Sequence, residues 1–167
     1  MDFTIEGEAG RTYRIRVEEA PYRRADWIQT LLDIDLQTFS EATFSGHAAA
    51  ALFENGRVFL LCADDIIIGT CVCVRVWDRP DEALMLSMAI RPGWRGRGLG
   101  QRFLSGVRDQ LASRGFVAVG LLVPSDNRRA VQLYQDVGFR IVAEGAEDLR
   151  GKERLLTLRL DLRARPA

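Results

Sequence analysis

One run of this sequence has the residue types and spacing of a binding loop: Ile90-Arg91-Pro92-Gly93-Trp94-Arg95-Gly96-Arg97-Gly98-Leu99-Gly100-Gln101. Glycines at alternate positions let the backbone approach a ligand closely. The N–H groups that open the following helix have no internal partner, and the helix dipole adds partial positive charge there. Such a loop is an anion site suited to a pyrophosphate, and Arg95 and Arg97 stand where they can meet phosphates. A Rossmann fingerprint does not fit, because counting from Gly96 the third glycine falls one place early and Phe116 to Val123 carries no acid for a ribose. A Walker loop needs Gly-Lys-Ser/Thr, which is absent.

The elements around the loop follow from periodicity. Leu84 to Ile90 is an apolar run of strand length, and it ends at Pro92, which cannot donate to a ladder and disfavours helix at Arg91. Leu99, Phe103, Leu104, Val107 and Leu111 then draw one stripe along a helix of about four turns. Phe116 to Val123 reads as a strand buried on both faces and parallel to the strand before the helix, which makes one βαβ crossover.

Upstream, Phe3 to Glu6 and Tyr13 to Val17 form a hairpin around Glu8-Ala9-Gly10. A helix covers Ala25 to Phe39. Ser40 caps a second helix that runs through Phe44 to Leu52 and ends at Asn55-Gly56. Val58 to Ala63 and Ile66 to Val76 join at Asp64-Asp65, and Arg79-Pro80-Asp81 turns the chain into the next strand. Downstream, Pro124 to Asn127 lead into a short helix to Val137, then strands Phe139 to Val142 and Leu155 to Leu162. The tail from Arg163 is expected to be loose.

The length of 167 residues implies a single domain, residues 1–167, and 47% hydrophobic with 28% charged residues is the balance of a globular protein. No apolar run reaches the ~18 residues of a membrane span, and the start, with Asp2, Glu6 and Glu8, lacks a signal-peptide layout; a cytoplasmic protein without membrane contact is expected. Lys plus Arg and Asp plus Glu are both 23, a net charge of zero that offers no field for nucleic acid. Cys62, Cys71 and Cys73 lie in apolar runs rather than at zinc spacing, so buried thiols and no metal are expected.

Arg95, Gly98 and Gly100 match Q/R-x-x-G-x-G/A, and Asn127, Ala130, Leu133-Tyr134 and Gly138-Phe139 match N-x-x-A-x-x-L-Y-x-x-x-G-F. The two blocks, in this order, resemble the GNAT N-acetyltransferase superfamily, with a slighter likeness to the enzymes that acetylate the N-terminal alanine of a ribosomal protein. The resemblance implies an α/β (α+β) GNAT fold: a mostly antiparallel mixed sheet of about seven strands, one parallel crossover and a splayed acetyl-CoA cleft. It implies that backbone amides at Arg95, Gly96, Arg97, Gly98, Leu99 and Gly100 hold the pyrophosphate of acetyl-CoA, that main-chain groups of Met88, Ala89 and Ile90 pair with the pantetheine arm, and that Asn127 touches the cofactor. From propensity alone Asn127 is a helix cap. Homodimers are common in such proteins, and a free closing strand permits one.

Acyl transfer to an amine requires the cosubstrate held, its carbonyl polarised, the amine deprotonated and the thiolate protonated. A tyrosine hydroxyl, with a reference pKa near 10, stays protonated at neutral pH, so Tyr134 is the expected acid; outside its motif it would read as core packing. The superfamily's usual glutamates are absent, since Leu84 and Leu122 occupy the corresponding positions. Glu82 is the leading candidate base, with Asp81, Ser87 and Glu41 as others, acting directly or through water. The Ser40-Glu41-Ala42-Thr43-Phe44 segment resembles an acceptor-side segment or is simply a capped helix start. His47 lines the acceptor mouth or sits on a helix, and Tyr22-Arg23-Arg24 is a solvated turn or an acidic-ligand contact. Direct attack in a ternary complex is expected, and a ping-pong route through Cys71 or Cys73 has no support. The acceptor is a small-molecule or peptide amine, and neutral net charge leans towards a small molecule; a non-catalytic acyl-CoA-binding domain is the alternative of another class.

Overall fold

Periodicity of apolar residues turns into strands and helices nearly where the sequence places them. The computed structural model describes residues 3–6, 10–21, 25–39, 43–147 and 154–163. The expectations for Glu8-Ala9, Tyr22-Arg23-Arg24, Glu41, Ala42 and the tail beyond Arg163 fall outside the described residues, as does Ser40 itself. In chain order the elements are β1 (Phe3–Glu6), β2 (Thr12–Glu19), α1 (Ala25–Thr38), α2 (Gly46–Asn55), β3 (Arg57–Ala63), β4 (Ile66–Val76), β5 (Arg79–Ile90), α3 (Leu99–Ser113), β6 (Ala118–Pro124), α4 (Arg128–Asp136), β7 (Arg140–Glu147) and β8 (Arg154–Asp161). Eight strands hydrogen-bond in the order β1-β2-β3-β4-β5-β6-β8-β7. The count exceeds the expected seven because the opening hairpin supplies two separate strands, Phe3 pairing with Ile15 and Glu6 with Thr12. The one parallel pair is β5 with β6, joined through α3 as expected.

The chain divides into two compact units, Met1–Val74 with Ser87–Leu99, and Arg75–Leu86 with Gly100–Ala167. In the first, Leu31, Ala49, Val58, Leu60, Cys62 and Val72 form a buried cluster, against which Trp27, Ile28, Phe44 and Leu52 pack. The β3–β4 turn places Asp64 at φ +50°, in the left-handed region that Asp tolerates, and its Oδ1 accepts from Arg14 N at 2.9 Å. Ser45, not Ser40, caps α2: its Oγ accepts from Ala48 N at 3.2 Å, and Phe44 precedes the helix. Ser45 stands directly before Gly46, the first helical residue, where its short hydroxyl reaches the opening N–H groups.

In the second unit the α3 stripe, Phe103, Leu104, Val107 and Leu111, is buried as its spacing requires. Two boundaries move. The β4–β5 turn is Trp77-Asp78, and Arg79-Pro80-Asp81 belongs to β5, where a proline is tolerated at a strand's start. β6 begins at Ala118 rather than Phe116, and it is not buried on both faces, since Leu122 is 56% exposed.

Candidate active site

The glycine loop begins where β5 ends. Arg91 continues the strand with a main-chain bond to Ile68 O at 2.8 Å, and Pro92–Trp94 makes one 3-10 turn closed by Arg95 N to Pro92 O at 3.2 Å. Gly96 and Gly98 then take φ of +80° and +70°, values that side-chain-bearing residues rarely adopt. The loop's own arginines hold it from inside: Arg95 Nε donates to Ile90 O at 2.8 Å, and the Arg97 guanidinium lies 5.6 Å from the centre of the Trp94 ring. Trp94 in turn meets Tyr13 edge-on at 5.0 Å. Arg91, which the sequence did not single out, donates from Nε to Ile67 O at 3.0 Å and from Nη1 to Gln37 Oε1 at 2.7 Å. Its place in a positively charged run hid its role as a tether.

Within β5, the parallel register with β6 covers Glu82–Met85 against Ala118–Leu121. Met88, Ala89 and Ile90 lie beyond that register, towards the loop, with Ala89 and Ile90 buried and Met88 half-buried.

In the second unit Gly100, the last glycine of the first block, meets the second block. A Cβ added at Gly100, in the first turn of α3, would stand 3.2 Å from Leu133 Cδ2, so glycine permits α3 to come this close to α4. Asn127 is the N-cap of α4, its Oδ1 accepting from Ala130 N at 3.1 Å. Tyr134 is half-buried, its ring 5.6 Å from that of Phe139 and tilted 58°. Gly138, at φ +106°, makes that contact: it ends the helix and returns the chain so that Phe139 N bonds Tyr134 O at 3.0 Å. Leu133, Tyr134, Gly138 and Phe139 are therefore one local device.

The carboxylates behave differently from what their residue type implies. Glu82 Oε1 accepts from Arg159 Nη2 at 2.8 Å, and its Oε2 lies 3.3 Å from Arg79 Nε. The bond from Arg159 holds its pKa below the usual glutamate range, against a smaller opposing effect of burial. A carboxylate so held is a weaker base. Asp81 pairs with Arg163 at 3.6 Å. Ser87 is buried, its Oγ without a hydrogen-bond partner. His47 is an exposed residue of the first turn of α2. Cys71 and Cys73 are buried with sulfurs 4.0 Å apart, and burial pushes the Cys71 thiol well above its ordinary pKa; burial also raises Cys62, to about 12. Neither Cys62 nor Cys71 is a ready thiolate nucleophile. Among the described residues no helix is long and apolar enough to cross a membrane.

A βαβ crossover whose glycine loop opens the helix, with a second helix closed on its own tyrosine, defines a mixed α/β protein. Residues 13–139 match the Acetyltransferase (GNAT) family, and the chain belongs to it. It is 34% identical over 101 residues to the [Ribosomal protein bS18]-alanine N-acetyltransferase of Salmonella typhimurium. That match takes in 60% of this chain and 64% of the relative, so the chain spans less than two thirds of the relative's length. The crystal structure of the ribosomal-protein-S18-alanine N-acetyltransferase from Escherichia coli superposes with a TM-score of 0.78 over 91% of this chain and 96% of that one, at 20% identity. A Bacillus subtilis acetyltransferase in complex with CoA gives 0.72 over 88% and 98%, also at 20%. These two likenesses are of fold.

Proposed function

We propose that this protein moves the acetyl group of acetyl-CoA to a primary amine by direct attack, and that the amine is the amino terminus of a peptide or protein. The observation that carries the reading is the close approach of Gly100 to Leu133, which packs the head of the glycine-loop helix against the helix that bears Tyr134. Backbone N–H groups from Arg95 to Gly100 hold the pyrophosphate, and Arg95 and Arg97 add charge. Main-chain groups of Met88, Ala89 and Ile90 pair with the pantetheine arm. Asn127 serves as cap to α4 and thereby sets the start of the helix that presents Tyr134. The neutral amine nitrogen attacks the thioester carbonyl, the C–S bond breaks, Tyr134 gives its hydroxyl proton to the departing sulfur, and the proton that the nitrogen sheds on becoming an amide passes to water, from which Tyr134 regains its own. The name of the Salmonella relative favours an α-amine over a small molecule; neutral net charge is compatible with either.

Release of free thiol from acetyl-CoA, measured with amino-terminal peptides, amino acids, polyamines and aminoglycosides beside calorimetric titration of acetyl-CoA, tests this. Turnover led by the amino-terminal peptides is expected. Tight binding with only slow hydrolysis would overturn it in favour of a non-catalytic acyl-CoA-binding domain.

A further inference from the structure

The glycine loop is braced from outside as well as from within. At its root β4 and β5 come unusually close: a Cβ added at Gly69 would stand 2.8 Å from Ala89 O, an approach that glycine permits. One residue earlier on β4, Ile68 O accepts from Arg91 N at 2.8 Å, so main-chain bonding reaches the residue before Pro92. The pairing of β4 with β3 is bulged at the same place, because Leu61 pairs with Gly69 and Cys62 with Ile67, which leaves Ile68 as an extra residue. A bulge interrupts the ladder, and the Ile67 carbonyl beside it accepts from Arg91 Nε at 3.0 Å.

The same guanidinium reaches a helix. Arg91 Nη1 donates to Gln37 Oε1 at 2.7 Å, in the last turn of α1 and 54 positions away in sequence. The rigid fork of arginine lets Nε and Nη1 serve two acceptors at once, which a lysine ammonium on its flexible stem cannot reproduce. The glycines are one 3-10 turn further on, and Arg95 Nε ties that turn back to Ile90 O at 2.8 Å. Two arginines therefore fix the direction in which the chain leaves β5 before Gly96 and Gly98 take their positive φ. Gln37 is exposed, so water is an alternative partner for its side chain and the folding of α1 does not require it to face Arg91. All of these residues belong to the first compact unit.

Resting on the acetyl-CoA binding proposed above, we infer that Arg91 and Gln37 are a positioning pair, which holds the glycine loop in its binding shape and couples acetyl-CoA at the loop to the last turn of α1. Both act through the loop rather than on the ligand. Loop amides bind an anion well only if they already converge, since ordering them at the moment of binding lowers the affinity. The pair supplies part of that order from α1. Linkage makes the effect reciprocal, so acetyl-CoA in turn steadies the turn that carries Gln37. Cutting the pair removes the coupling and leaves the strand pairing, because the bond from Arg91 N to Ile68 O is made by the main chain.

Calorimetric titration of acetyl-CoA together with amide hydrogen exchange tests this on the wild type, Gln37→Leu, Gln37→Glu, Arg91→Lys and the double variant Arg91→Lys with Gln37→Leu. Gln37→Leu should raise the Kd for acetyl-CoA about three- to tenfold, the scale of one partly exposed hydrogen bond, with the urea midpoint unchanged. In steady state the loss should fall on the KM for acetyl-CoA rather than on kcat. Gln37→Glu keeps an acceptor and adds charge, so its affinity should be about that of the wild type or higher. The double variant should be no more than about twofold weaker than the worse single variant, since both changes cut the same bond. In the wild type acetyl-CoA should slow exchange of the Phe39 N–H, which Asp35 O accepts at 2.9 Å, and in Gln37→Leu it should not. An unchanged Kd in Gln37→Leu and Arg91→Lys, additive losses in the double variant, equal slowing of the Phe39 amide in Gln37→Leu, or a urea midpoint that falls in step with affinity would overturn the inference while leaving acetyl-CoA binding standing. Coupling without acetylation of any amine would overturn the function proposed above and leave the pair standing; no binding of acetyl-CoA by the wild type would overturn both.

Discussion

Tyr134→Phe separates chemistry from folding with one atom. The phenyl ring retains its packing on Phe139, at 5.6 Å and 58°, and the main-chain carbonyl at position 134 still accepts from Val137 and Phe139. Stability should therefore fall by no more than about 1 kcal/mol, the net worth of one hydroxyl hydrogen bond, or a few degrees in melting temperature for a chain this size. If the hydroxyl protonates the departing sulfur, turnover should fall at least tenfold, about 1.4 kcal/mol of transition-state stabilisation, and acid catalysis of this kind commonly reaches about a hundredfold. The loss belongs in kcat, because the unprotonated thiolate exists only beyond the ground state. The assay is thiol release under saturating acetyl-CoA and acceptor, with calorimetric binding of acetyl-CoA as the control. A kcat within twofold of wild type, with unchanged cofactor affinity, would remove Tyr134 from the mechanism.

Other perturbations read different parts of the structure. Gly98→Ala should weaken acetyl-CoA binding about five- to thirtyfold by calorimetry, since a left-handed φ of +70° costs an L residue roughly 1–2 kcal/mol, and Gly98→Glu should weaken it further by placing a carboxylate at the phosphate site; retained affinity in the glutamate variant would sink that placement. Ser45→Ala removes the α2 cap and should cost about 1 kcal/mol, seen as a lower urea midpoint with an unchanged slope. Glu82→Gln weakens the bond to Arg159. Because the folded carboxyl has the lower pKa, its contribution is present above the ordinary glutamate pKa of about 4.3 and disappears as pH falls through the folded value, so the stability gap between wild type and variant should be full at pH 6 and narrow steadily as pH falls below the ordinary glutamate range. A gap that widens on acidification would refute the ion pair, and a turnover loss above tenfold at pH 7.5 would return Glu82 to the role of base.

Two kinds of signal made the fold legible. The α3 stripe and the β3–β4 runs were set by periodicity, and both occur within a residue or two of where spacing puts them. The glycine pattern was set by backbone geometry: positive φ at Gly96, Gly98 and Gly138, and a close approach at Gly100, are demands that only glycine meets cheaply. Turns governed by tertiary context were less visible. Arg79-Pro80-Asp81 has turn composition, yet a strand can absorb a proline at its start, so the reversal moved back to Trp77-Asp78, where Trp77 is 94% exposed. Ser40 and Ser45 are both fair caps by type, and the helix starts at Gly46, which makes Ser45 the cap.

The carboxylates show why side-chain roles escape a sequence more readily than glycine roles do. Glu82 is acidic, near the loop strand and of the right type for a base, but its partner is Arg159, 77 residues away, reached only because β8 inserts between β6 and β7. No local pattern announces that insertion. Once it occurs, Arg159 lies opposite Gly120, across β6 from Leu84, and Glu82 precedes Leu84 on the same face, so the carboxylate is drawn into an ion pair rather than left to accept a proton. The same register puts Leu122 opposite Thr157 instead of opposite a charge. A position two rungs further along the face thus becomes apolar and exposed, while the acid is consumed in structure.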